Sequence, residues 1–188
     1  MGLETHSMHQ SNKIKFGLAI IGVFALAGSE IAYSDNDLED ALTSHSCHGC
    51  NLRGADLSNQ RMQYADFGSA DLREANFTGA DLRRSRFDEA RLREANFTGV
   101  DMSWADFTDA DLTRAIMVEA DLRNSNFSNA NLSRVDFTDA DLRFVDFRGA
   151  DLGAADLSNA VVRSADFTGA TWPSGVTCPD ADCGGRAD

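Results

Sequence analysis

The sequence predicts an all-β solenoid of about six square coils with a short helix plugging its N-terminal end, and three observations carry that prediction. From Cys50 to Ser174 the chain repeats every five residues without an insertion or deletion. Of the 25 unit centres, from Leu52 to Trp172, 11 are Leu, 9 Phe and 3 Met, with Val162 and Trp172 the exceptions. A period of five fits neither the 3.6 of a helix nor the 2 of a strand, so each unit must turn a corner and bury its centre against a neighbouring coil. Finally, the centres sort into columns 20 residues apart. Leu52, Leu72, Leu92, Leu112, Leu132 and Leu152 form one, ended by Trp172; Phe67, Phe87, Phe107, Phe127, Phe147 and Phe167 form another. Two uniform columns out of four fix four units per coil, hence a square section.

Residues 1–34 read as a signal peptide. Lys13 and Lys15 precede an uncharged run from Phe16 to Gly28, too short for the roughly 20 residues of a membrane span and followed by small residues that suit cleavage near 27 or 34. Residues 35–49 hold one short helix, capped by Ser34 or Asp35 with Leu38, Ala41 and Leu42 on one face, and the first cysteine pair. The helix is expected to cover the open first coil.

Residues 50–174 form the solenoid. Its centres stack as ladders about 4.8 Å apart, each contributing roughly 1.5 to 3 kcal/mol on burial. Ala stands two residues before the centre in 18 units, where little room is left beside the larger side chains, and Asp or Asn stands one before it in 19. Gln60 replaces an inward Ala, and its amide predicts a local distortion in the first coil. The repeat is expected to stop at Pro173, which cannot donate to a β ladder. Residues 175–188 then supply a stapled turn over the last coil and a tail.

The four cysteines lie at the two ends, with roughly 29 Å of coils between them against the 7 Å or so that a bridge allows. Disulfides therefore pair Cys47 with Cys50 and Cys178 with Cys183. Haem attachment would need His directly after Cys50, where Asn51 stands. A zinc site from Cys47, Cys50, His45 and His48 has the residue types at very tight spacing, and a redox motif lacks a βαβ setting.

The word A-(D/N)-(L/F)-x-x resembles the pentapeptide-repeat family over about two thirds of the chain. The resemblance implies a right-handed quadrilateral β-helix with no active site in its repeats; the best understood members mimic DNA and inhibit type II topoisomerases. The expected protein is an exported, non-catalytic scaffold or protein-binding module, without cofactor or metal, in a periplasm or thylakoid lumen. Another protein is its expected partner, with no nucleic acid bound and no membrane contact after cleavage. The alternative is an acidic DNA mimic acting on a topoisomerase, against which stands the export signal.

Charge bounds the partners. Seventeen basic and 30 acidic residues give a net charge of -13, which repels nucleic acid and anionic lipid. Outward carboxylates form columns, the longest being Asp81, Asp101, Asp121 and Asp141, read as a solvated, Arg-paired surface in preference to a divalent-ion site. The repeat word does not demand the aromatics two residues after the centres of that same face: Tyr64, Trp104 and Phe144 alternate with Arg84 and Asn124. They make a candidate interaction strip about 20 Å long.

Overall fold

The computed structural model describes residues 33–181 and 183. The leader expected over residues 1–34 therefore lies, but for its last two residues, outside the described residues, as does the tail from 184.

A five-residue unit has to satisfy five backbone N–H groups without a continuous strand, and the hydrogen bonds show how it does so. The centre donates to the next coil (Leu52 N–H to the Asp71 carbonyl, 2.8 Å), and the residue before a centre donates to the previous one (Asp71 to Cys50, 2.8 Å). The residue two after the centre also reaches the next coil (Glu74 to Arg93, 2.9 Å), while the small residue of the following unit closes a turn back onto that centre (Ala75 to Leu72, 3.1 Å). One N–H remains, that of the residue just after the centre. It is taken by the side chain two residues upstream: every one of the 19 Asp and Asn residues accepts this bond through Oδ1, as Asp136 does from Thr138 at 2.9 Å. Asp and Asn recur because a short side-chain acceptor replaces a backbone one in this Asx turn.

Parallel bridges join residues 20 apart, from Ser46 with Asp66 to Asp151 with Thr171, so successive coils are in register along four columns. Inside, the Phe column stacks face to face: Phe87 and Phe107 have ring centres 4.8 Å apart and planes within 4°. The column on the opposite side of the section meets it edge-on, Phe77 against Phe87 at 6.0 Å and 89°. Aromatic quadrupoles favour such edge contacts, and parallel stacks of this kind gain their energy from burial and dispersion. The inward hydroxyls are satisfied, Ser85 Oγ donating to the Met62 carbonyl at 2.9 Å and Ser125 Oγ to that of Leu122 at 2.6 Å.

Helix α1, Asp35–Thr43, starts at Ser34, whose side chain accepts from the Asp37 N–H. It buries Ala41 fully and leans Leu38 and Leu42 on the same core as Leu52. Asp37 Oδ2 accepts from the Asn51 N–H at 2.7 Å and Ser34 N–H donates to the Asn51 carbonyl at 3.2 Å, fixing the helix to the first coil.

Three details differ from the sequence reading, and the distortion expected at Gln60 is present but small. The repeat geometry begins one unit earlier: Cys47 sits at a centre, donating to the Asp66 carbonyl at 2.7 Å, with Gly49 left-handed and Cys50 closing the turn. Gln60 is half-buried, keeps its coil register (Asp81 N–H to the Gln60 carbonyl, 2.9 Å) and bonds the Ser58 carbonyl. Its distortion is confined to the turn, which is not closed by the bond onto Leu57 that the other units make. Pro173 does not stop the repeat. It occupies the position whose N–H never joins the ladder, and its carbonyl still accepts from Ala154 at 3.3 Å. The chain reverses just beyond it, through Gly175 at φ 82 and an antiparallel bridge from Thr171 to Thr177. Nor does the final turn cover the whole last coil. It lies along Phe167, whose N–H donates to the Ala181 carbonyl at 2.9 Å, and leaves Leu157, Val162 and Trp172 half-buried.

Candidate functional site

The four sulfurs form two bridges, Cys47 to Cys50 with Cα atoms 5.2 Å apart and Cys178 to Cys183 at 4.5 Å. Cys47 stands one coil before Phe67 and Cys178 pairs with the segment after Phe167, so each bridge lies at an end of the Phe column. Thiols so bonded are not free to ligate zinc. Among the described residues no cluster of His, Cys, Asp and Glu is arranged to hold a metal ion.

The long Asp column is occupied by arginine. Arg83 grips Asp81 with Nε and Nη2 at 2.8 and 2.7 Å, and leans toward Asp101 at 3.5 Å. Arg123 holds Asp121 and reaches Asp141 at 3.7 Å, and Arg143 holds Asp141. Hydrogen bonds from Arg83, aided by Gln63, hold the Asp81 carboxyl at about 2 despite partial burial; Arg143 lowers Asp141 in the same way. These carboxylates already carry a backbone N–H and a guanidinium, which leaves little of their charge for a partner.

Beside them runs the aromatic column. Tyr64, Trp104 and Phe144 are 66%, 58% and 59% exposed. All three are at left-handed backbone positions, φ 61, 64 and 62, as are Arg84, Asn124 and Ser164 between them. Such a conformation costs an L-residue roughly 1–2 kcal/mol and is least natural for a bulky one. Four left-handed columns run along the solenoid, and no other carries a Phe, Tyr or Trp among the described residues. Arg84 lies between the first two rings, its guanidinium carbon 5.9 Å from each ring centre. The sequence showed the alternation but not this stacking, which brings together residues 20 apart.

Two further surfaces are present. A shallow groove of about 380 Å³ runs past Arg93, Arg114 and Arg134, with Arg114 paired to Glu94 at 3.2 Å and Arg93 to Asp111 at 3.5 Å. At the C-terminal tip, the N–H groups of Leu157, Asn159, Val162 and Ser164 have no backbone partner among the described residues, and Val161 and Val176 are exposed nearby. No helix among the described residues is long and apolar enough to cross a membrane.

Fold and surface together define a β-solenoid that buries its repeated centres and presents outward columns for contact. The family model for pentapeptide repeats matches residues 50–88, 75–114, 115–153 and 146–171, and the chain belongs to this family, whose fold is a right-handed β-helix. Proteins of this kind are in general structural or binding scaffolds. Among solved structures, the chain is similar to HetL, a pentapeptide repeat protein involved in heterocyst differentiation regulation from the cyanobacterium Nostoc sp. strain PCC 7120: 28% identity, 70% of this chain and 68% of that one, TM-score 0.29. It is also similar to a pentapeptide repeat protein of the Arabidopsis thaliana thylakoid lumen (28%, 63% and 66%, TM-score 0.41) and to QnrB1, a plasmid-mediated fluoroquinolone resistance protein (23%, 68% and 74%, TM-score 0.39). No curated protein matches the chain.

Proposed function

We propose that this protein is an exported, non-catalytic scaffold of about six coils, capped by α1, that binds another protein through the face carrying Tyr64, Trp104 and Phe144 in a periplasm or thylakoid lumen. The observation that carries the reading is the confinement of exposed aromatics to one left-handed column, where they cost backbone energy and bury little. Export is supported by the uncharged run at residues 16–28 and by two bridges of a kind that persists in oxidising compartments. The test is affinity capture from the exported fraction with the native protein and with Tyr64, Trp104 and Phe144 all changed to Ser. Loss of the captured protein supports the reading; identical capture by both removes it.

A net charge of -13 favours the second reading, an acidic DNA mimic that inhibits a type II topoisomerase. The arginine clamps on Asp81, Asp121 and Asp141 work against it by neutralising the most regular charge column. A supercoiling assay, with cell fractionation, separates the two: an unprocessed cytoplasmic protein that slows supercoiling belongs to the second.

A further inference from the structure

We propose that the column Tyr64, Arg84, Trp104, Asn124, Phe144 is a docking groove for a proline-rich, basic segment of the partner, held as a polyproline II helix. The proposal rests on the protein-binding reading above and names the chemistry of the partner.

Pitch is the first argument. The rings recur every second coil, about 9.6 Å apart along the axis at strand spacing. One turn of polyproline II is three residues of about 3.1 Å each, roughly 9.3 Å. The same edge of such a peptide therefore meets Tyr64, Trp104 and Phe144 in turn, with little accumulated mismatch over two turns.

Spacing between the rings is the second. The Arg84 guanidinium carbon lies 5.9 Å from both the Tyr64 and the Trp104 ring centres, so a planar cation fills the first interval of the column. A proline ring can pack on that aromatic and guanidinium surface. The slot between Trp104 and Phe144 is floored by the short, half-buried Asn124.

Hydrogen-bond supply is the third. The Tyr64 hydroxyl, Trp104 indole, Asn124 amide and Arg84 guanidinium are donors, and none has a hydrogen-bond partner among the described residues. A polyproline II chain makes no internal hydrogen bonds, so its carbonyls are free to accept while its prolines donate none.

Charge supplies the fourth. Of the carboxylates two residues beyond the rings, Asp66 and Asp146 have arginine partners, whereas Asp106, two residues beyond Trp104, has no arginine within ion-pair distance among the described residues. Its Oδ1 serves Thr108 and Asn126, which leaves Oδ2 for a cationic residue of the peptide.

The experiment titrates the full chain into a fluorescein-labelled decaproline peptide with an arginine at each end, read by anisotropy at low salt. Saturable binding is expected, with Kd on the order of 10–100 μM. It should weaken at least tenfold in the Tyr64→Ser, Trp104→Ser, Phe144→Ser variant, and about threefold in Asp106→Asn, which retains the turn acceptor. Ile116→Ser, exposed on another face, should leave it unchanged. Circular dichroism and thermal unfolding check that each variant is folded. No binding, or equal binding by the folded triple variant, overturns the proposal. So does a soluble β-1,4-glucan that binds in the peptide's place and is lost in the triple variant. If the captured partner of the exported fraction is lost in the triple variant yet not displaced by decaproline, the protein-binding reading stands and the proline-rich chemistry falls.

Discussion

Phe107 and Phe127, one coil apart, stack with ring centres 4.6 Å apart and planes within 2° of each other, both fully buried. In this fold each centre touches its column neighbours above and below, so the loss of one ring opens a void that rigid coils on either side cannot close. Phe127→Ala is expected to cost about 3–5 kcal/mol by denaturant unfolding. Phe127→Leu, which removes part of the ring's volume but keeps a branched apolar side chain beside a column of Leu, should cost less, about 1–2 kcal/mol.

The Asx bond makes a sharper prediction. Asp136→Asn retains the acceptor for the Thr138 N–H and should be nearly neutral, while Asp136→Ala strands that N–H and should cost about 1 kcal/mol. Equal effects in both variants would show that charge, and not the turn, selects acid at this position.

Acid should loosen the arginine-clamped faces. The folded pKa of Asp81 lies at about 2, below its unfolded value near 3.9. A depressed carboxylate stabilises the fold above its unfolded pKa, and that contribution is lost as pH falls through the folded one. Asp71, Asp141 and Asp146 are lowered by the same kind of contact, with Arg73, Arg143 and Arg148. Unfolding free energy should therefore drop between about pH 4 and about pH 2, and by less in Asp81→Asn. Each pair is partly exposed, so its share is under about 1 kcal/mol.

Reduction of the bridges should weaken the ends without dissolving the solenoid. Each closes only a short loop, contributing about 2 kcal/mol, against a core of stacked centres along the whole repeat. Thiol titration should find four sulfhydryls only after reductant, with the β-helical circular dichroism retained. Collapse of the spectrum on reduction would contradict the end-staple role.

The aromatic column can be separated from the fold by glycine. Phe144 is exposed at φ 62, so Phe144→Gly relieves left-handed strain and should raise stability by about 0.5–1 kcal/mol. Destabilisation beyond 1 kcal/mol or so would mean that the ring supports the coil and is not kept for contact.

The sequence by itself determined the period of five, the circuit of 20 and the inward columns, because each depends only on which residue types recur and every coil repeats the same demand. It also placed Tyr64, Trp104 and Phe144 in one outward line. Only the tertiary structure decided what the recurrent Asp and Asn do. Their Oδ1 atoms serve backbone N–H groups, a matter of turn geometry that composition presents as surface charge. It likewise decided that Cys47 already occupies a centre, that Pro173 lies inside the register, and that the final turn covers the Phe167 side of the last coil. Those outcomes depend on where the chain reverses and on which side chain from another coil lies within reach, as Arg84 does between Tyr64 and Trp104. Contacts between residues 20 apart leave no local trace in the order of the amino acids.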